Sequence, residues 1–130
     1  IRKISQNYVI LRTSWIFSNH NSNFVNKMVE LSKKLKSINV VNDQVGGPTP
    51  AKHVAEACLS IVKRLQTDPD KSGTYLFCGH PYISWFNFAE IIFQKIGNRI
   101  NVDPILTKNF PILAMRPLNS RLDCKDIFNN

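Results

Sequence analysis

A chain of 130 residues has room for one domain, and 43% apolar side chains with two tryptophans argue for a packed core rather than disorder. No apolar run approaches the roughly 20 residues of a membrane-crossing helix, and Ile1-Arg2-Lys3-Ile4-Ser5-Gln6-Asn7 lacks both an initiator methionine and the long apolar stretch of a signal peptide. Seventeen basic against nine acidic side chains give a formal +8, which suits nucleic acid, a phosphorylated metabolite or an acidic membrane surface as partner.

In chain order, Ile1–Ser5 reads as the tail of a helix and Asn7 as a turn. Tyr8-Val9-Ile10-Leu11 is a continuous apolar run, the pattern of a strand buried on both faces of a parallel sheet, and it continues through Arg12-Thr13-Ser14-Trp15-Ile16-Phe17. Polar groups and a tryptophan at the carboxyl end of such a strand make a ligand-edge composition. Phe24, Val25, Met28, Leu31 and Leu35 recur at helical spacing, which predicts a helix over Phe24–Leu35 capped by Asn23.

The segment Val40–Lys52 then joins a strand from Ile38 to Val41 to a second helix, Pro50–Leu65. Gly46 and Gly47 allow a ligand or a second chain segment to come close. Thr49 has the chemistry of a helix cap with Pro50 at the first helical position. Asp68-Pro69-Asp70-Lys71-Ser72-Gly73 is turn chemistry, followed by a buried strand, Thr74–Cys78. Ser84 is expected to cap a third helix that ends at Gly97. Val102–Thr107 reads as a short strand, Phe110–Leu118 as an irregular loop, and Asp123 as the cap of a final turn over Cys124–Phe128. Regular strand–helix alternation means an α/β fold.

Several chemistries find no support. No Gly-x-Gly-x-x-Gly, Gly-x-x-x-x-Gly-Lys-Ser/Thr or Gly-x-Ser-x-Gly is present. Cys58, Cys78 and Cys124 with His20, His53 and His80 give no zinc spacing, and the thiols read as buried or incidental in a reducing cytoplasm. The basic residues are scattered. Lys33, Lys34 and Lys36 close one expected helix and Lys63 and Arg64 another, where cations oppose the helix dipole. That distribution and the lack of a DNA- or RNA-binding motif speak against nucleic acid.

Four stretches, in order, carry a resemblance. They are Arg12-Thr13-Ser14-Trp15-Ile16-Phe17, Val41-Asn42-Asp43-Gln44-Val45-Gly46-Gly47-Pro48-Thr49, Gly73-Thr74-Tyr75-Leu76 with Ser84-Trp85-Phe86-Asn87-Phe88-Ala89, and Arg116-Pro117-Leu118-Asn119-Ser120-Arg121-Leu122. Together, from about Tyr8 to Lys125, they resemble the C-terminal half of the dTDP-4-dehydrorhamnose reductases, which are extended short-chain dehydrogenase/reductases. The resemblance implies part of a parallel Rossmann-type sheet plus a small substrate-binding α/β portion. It also implies a single incomplete domain over 1–130, without the N-terminal dinucleotide-binding domain.

Such enzymes reduce a 4-keto sugar nucleotide with NADPH or NADH to dTDP-L-rhamnose, and some need Mg²⁺. By this likeness Trp15 lies beside a dTDP-sugar, and Asn42, Gln44, Thr49 and Arg116 line its side of the site. A guanidinium suits the diphosphate because it is always charged and can donate paired hydrogen bonds. Asn119 and Ser120 would add neutral hydrogen bonds, with Arg121 as a structural ion-pair partner.

The family's Tyr-x-x-x-Lys pair and glycine-rich loop are expected upstream of these stretches, and its closing helix beyond Asn130. Tyr8, Tyr75 and Tyr82 are followed four residues on by Arg12, Gly79 and Phe86. The expectation is therefore a truncated gene product, split-gene remnant or cut fragment that transfers no hydride alone. A possible N-terminal reductase half or self-association would cover strand edges and apolar faces left open. The alternative is a non-catalytic sugar-nucleotide-binding or scaffolding module.

Overall fold

The computed structural model describes residues 1, 3–98, 100–110 and 114–129. Strand β1 (Val9–Thr13) is followed by a two-residue strand β2 (Ile16–Phe17), helix α1 (Phe24–Ser32) and strand β3 (Ser37–Val41). Two short strands, β4 (Val45–Gly46) and β5 (Thr49–Pro50), lead into the long helix α2 (Ala51–Thr67). After it come β6 (Gly73–Phe77), β7 (Ile83–Ser84), α3 (Trp85–Lys95), β8 (Asn101–Ile105), β9 (Asn119–Ser120) and a final short helix α4 (Lys125–Asn129). The α/β reading of the sequence holds.

The pairing is parallel for β1 with β6, β2 with β5 and β3 with β8. The central β4 pairs antiparallel with β7 and parallel with β9. The main core lies where α3 packs on β3, β8 and α1, around Met28, Val40, Phe88, Ala89, Ile92 and Phe93. These positions recur every three to four residues along α3 because one helix face meets the strand pair. Helix α2 packs against β1 and β5 instead.

The helix ends follow local chemistry. Asn23 accepts from the Asn26 N–H at the start of α1, and Ser84 accepts from the Asn87 N–H at the start of α3. Gly97, at φ +67°, closes α3 with two capping bonds, Asn98 N–H to Phe93 O and Gly97 N–H to Gln94 O. Helix α1 stops at Ser32, short of Leu35, because the Lys33, Lys34 and Leu35 N–H groups close a turn on Glu30 and Leu31.

Three expectations need correction. Strand β1 does not run on to Phe17: the chain breaks at Ser14 and Trp15, where Trp15 takes a left-handed φ of +51°. Thr49 does not cap α2. Pro50 is the N-cap and makes no side-chain cap bond, while the Thr49 hydroxyl donates to Gly47 O and accepts from the Gly79 N–H. The last strand also ends early, at Ile105, and Thr107–Asn109 turns into a 3-10 segment. Of the expected loop Phe110–Leu118, residues 111–113 lie outside the described residues.

Candidate functional site

The adjacent glycines of the 40–52 corner serve two different close approaches. A Cβ on Gly46 would come within 2.5–2.9 Å of three atoms of the Trp15 indole. A Cβ on Gly47 would collide with the Gly79 carbonyl oxygen, and one on Gly79 with that of Pro48. Gly47 and Gly79 thus let two backbone segments cross at contact, with Thr49 bonded across the crossing. The close partner at Gly47 is the chain itself.

Trp15 is clamped. Its ring stacks on Trp85 with centroids 3.5 Å apart and planes at 11°. Its carbonyl accepts from the Thr49 N–H, and the preceding Ser14 hydroxyl donates to Ser120 O at 3.1 Å. The Trp15 indole N–H has no hydrogen-bond partner among the described residues. Just before the break, the buried Thr13 Oγ1 at the carboxyl end of β1 also lacks one.

The polar run after β3 is tied down from within. Asp43 accepts from both the N–H and the hydroxyl of Thr107, and Gln44 donates to the same hydroxyl at 3.1 Å. The Thr107 hydroxyl bond is the main reason the Asp43 carboxyl is held below its ordinary value. The Ser84 Oγ lies 2.7 Å from the side-chain oxygens of both Asn42 and Asn87.

A cleft of about 590 Å³ opens beside these residues. Phe24, Met28 and Trp85 supply much of its apolar wall, and Lys27, Gln44 and Arg116 its polar groups. An apolar wall with a few polar and cationic groups is the usual make-up of a small-molecule site.

The seven residues singled out in the sequence fall into three groups. Gln44 and Arg116 line the cleft, Gln44 almost wholly buried at 3% exposure and Arg116 exposed. Trp15 adjoins the cleft through Trp85, on which it stacks, and through its chain neighbour Ile16, both of which line it, while Asn42, Asn119 and Ser120 flank this corner through the β7–β4–β9 sheet and its hydrogen bonds. Thr49 is set apart: it is 0% exposed and its hydroxyl is used internally, so it shapes the corner and offers nothing to a ligand. Arg121 is likewise not in an ion pair among the described residues; its Nε donates to Asn119 Oδ1.

The sequence reading missed Trp85 and Phe24 as cleft residues because their helical spacing marks them equally well as core, and Lys27 because a lone lysine on an amphipathic helix reads as a solvated surface charge. A second concavity of about 610 Å³ lies between α2 and β6, lined in part by His53, Arg64, Tyr75 and His80. Cys78 also lines it, and the Cys78 free thiol lies 3.7 Å from that of the buried Cys124.

The RmlD substrate binding domain family matches residues 1–130. The chain belongs to this family. A dTDP-4-dehydrorhamnose reductase of Aggregatibacter actinomycetemcomitans is 39% identical over 95% of the chain and 45% of its own length. The crystal structure of a Clostridium acetobutylicum dTDP-4-dehydrorhamnose reductase ortholog superposes with a TM-score of 0.88 at 33% identity, over 96% of this chain and 42% of that one. A Bacillus anthracis dTDP-4-dehydrorhamnose reductase, solved in complex with NADP, gives a TM-score of 0.79 at 32% identity, over 95% and 41%. The chain therefore spans less than half the length of the relatives it matches. Among its described residues, no helix is long and apolar enough to cross a membrane.

Proposed function

We propose that this chain is the substrate-binding portion of an NAD(P)H-dependent reductase that converts a 4-keto dTDP-sugar to dTDP-L-rhamnose in the cytoplasm. The observation that carries the reading is the cleft that brings Arg116, Gln44 and Trp85 together in a chain matched along its whole length by a substrate-binding family. In this reading Arg116 binds the diphosphate, Gln44 donates to the sugar nucleotide, and the rim of Trp15 meets it beside Trp85. Asn42, Asn119 and Ser120 hold the wall from which those groups act.

The paired glycines of this chain serve a chain crossing and the Trp15 ring rather than a phosphate cradle. NADPH or NADH, which supplies the hydride, is assigned to an N-terminal reductase half. That half would dock on the open faces of β1, β6 and α2, and in its absence self-association would use the same faces.

Titration with dTDP and with duplex DNA at two salt concentrations tests the reading. Saturable dTDP binding with little DNA affinity is expected; a folded chain that ignores dTDP overturns it. Adding a separately produced N-terminal half of a relative is expected to restore dTDP-sugar-dependent NADPH oxidation. The alternative of a scaffolding module predicts dTDP binding without any such restoration.

A further inference from the structure

Trp15 is an unusual residue to find in left-handed backbone. A bulky aromatic at φ +51° is disfavoured by contact between its Cβ and the backbone, at a cost on the order of 1–3 kcal/mol. Such a conformation persists only where its surroundings fix it. Two of those surroundings act on the backbone: the Thr49 N–H bound to Trp15 O, and the Ser14 hydroxyl bound to Ser120 O. The other two act on the ring. Gly46 lies against the indole so closely that a Cβ there would enter it, and Trp85 stacks at 3.5 Å. A group that near cannot share a face with the Trp85 ring, so the indole is held between them.

Both faces of Trp15 are therefore taken, and what it can offer a ligand is its rim, including an indole N–H with no partner among the described residues. Trp85 is itself well anchored. It is the first residue of α3, directly after the Ser84 cap, and its ring also meets Phe24 at 4.5 Å and Phe88 at 6.4 Å. It borders the cleft together with Gln44 and Arg116. We propose that Trp85 is the positioning residue for Trp15: it presses the indole onto Gly46 and so aims the Trp15 N–H edge at the nucleotide sugar. The inference rests on the reading that Trp15 touches that ligand.

The test is a double-mutant cycle on the whole chain, with dTDP-sugar or dTDP as the titrant. Trp15→Ala and Trp85→Ala are each expected to weaken binding by about tenfold, the scale of a lost aromatic contact or buried hydrogen bond. Because both remove one function, the double variant is expected to be no weaker than either single one. Trp85→Phe, which retains a stacking ring, is expected to recover affinity to within about threefold. It also covers the case in which Trp85→Ala does not fold.

A spectroscopic reading is independent of ligand. Two indoles stacked this closely are expected to give an exciton couplet in circular dichroism, lost in either single variant. Effects of Trp15→Ala and Trp85→Ala that add overturn the proposal, as does a wild-type chain without the couplet. Weakening by Trp15→Ala with Trp85→Ala and Trp85→Phe both silent overturns the positioning role alone. Full affinity in Trp15→Ala overturns the ligand role of Trp15, and this proposal with it.

Discussion

Two regions of the molecule use the same parts and bury them differently. One is built on the β3–β8 pair with α1 and α3, the other on the β1–β6 pair with α2. In the first, Val40 and Val41 of the strands and Phe88, Ala89, Ile92 and Phe93 of the helix are buried. In the second, no residue of β1, β6 or α2 is fully buried. Helix α2 turns Val54, Ala57, Ile61 and Leu65 inward but carries Leu59 and Val62 on its outside, 63% and 54% exposed. Parallel strand pairs are normally covered on both faces. The first region closes a core within this chain; the second keeps apolar surface available, which is the surface proposed to receive a reductase half. Burial, not secondary structure, separates the two.

The largest expected effect lies in the first region. Phe93→Ala removes a ring from the centre of the α1–β3–α3 core and is expected to cost about 3–5 kcal/mol in chemical denaturation. A loss below 1 kcal/mol would mean that this region is no better packed than the other. Next comes the joint between the regions. Gly47→Ala drives a Cβ into the Gly79 carbonyl and is expected to cost about 1–3 kcal/mol, with the Thr49–Gly79 bond disturbed. A wild-type melting temperature in that variant would show that the crossing can relax.

The two regions should also respond at opposite ends of the pH scale. In the first, Asp43 is held below 3.8 by the Thr107 hydroxyl, so its contribution is present above that pH and is lost as the pH falls through its folded value. In the second, burial and then Cys78 push the Tyr82 hydroxyl from 10.0 up to about 12, and burial raises the Cys124 thiol above 9.0. Folding favours the neutral forms there, so that contribution is intact below pH 9 and is lost as the pH climbs from 10 towards 12. Denaturation midpoints across pH should show both slopes, with Asp43→Asn flattening the acid one and Tyr82→Phe the alkaline one. The smallest effect is expected on the outside of α2. Leu59→Ser with Val62→Ser should leave stability within about 0.5 kcal/mol per site and reduce self-association in sedimentation. Unchanged association would place the contact elsewhere.

The cleft mixes residues that were readable in the sequence with residues that were not. Arg116 and Gln44 stood out only because they sit in two of the four stretches that carry the family resemblance. Trp85 did not, since an aromatic beside the Ser84 cap fits the apolar face of a helix equally well. Its proximity to Trp15 depends on where α3 lands, and no spacing along the chain records that.

By itself the sequence determined the α/β alternation, the caps at Asn23 and Ser84, and the turn at Gly97, because each depends on contacts within a few residues. It also carried the family, through four stretches kept in order. Only the tertiary structure decided that Trp15 breaks its strand and stacks on Trp85, that Thr49 bonds across to Gly79 instead of capping a helix, and that Cys78 meets Cys124. Those contacts join residues 30 to 70 positions apart. Local propensity is blind at that range, and packing against the rest of the chain chooses the partner.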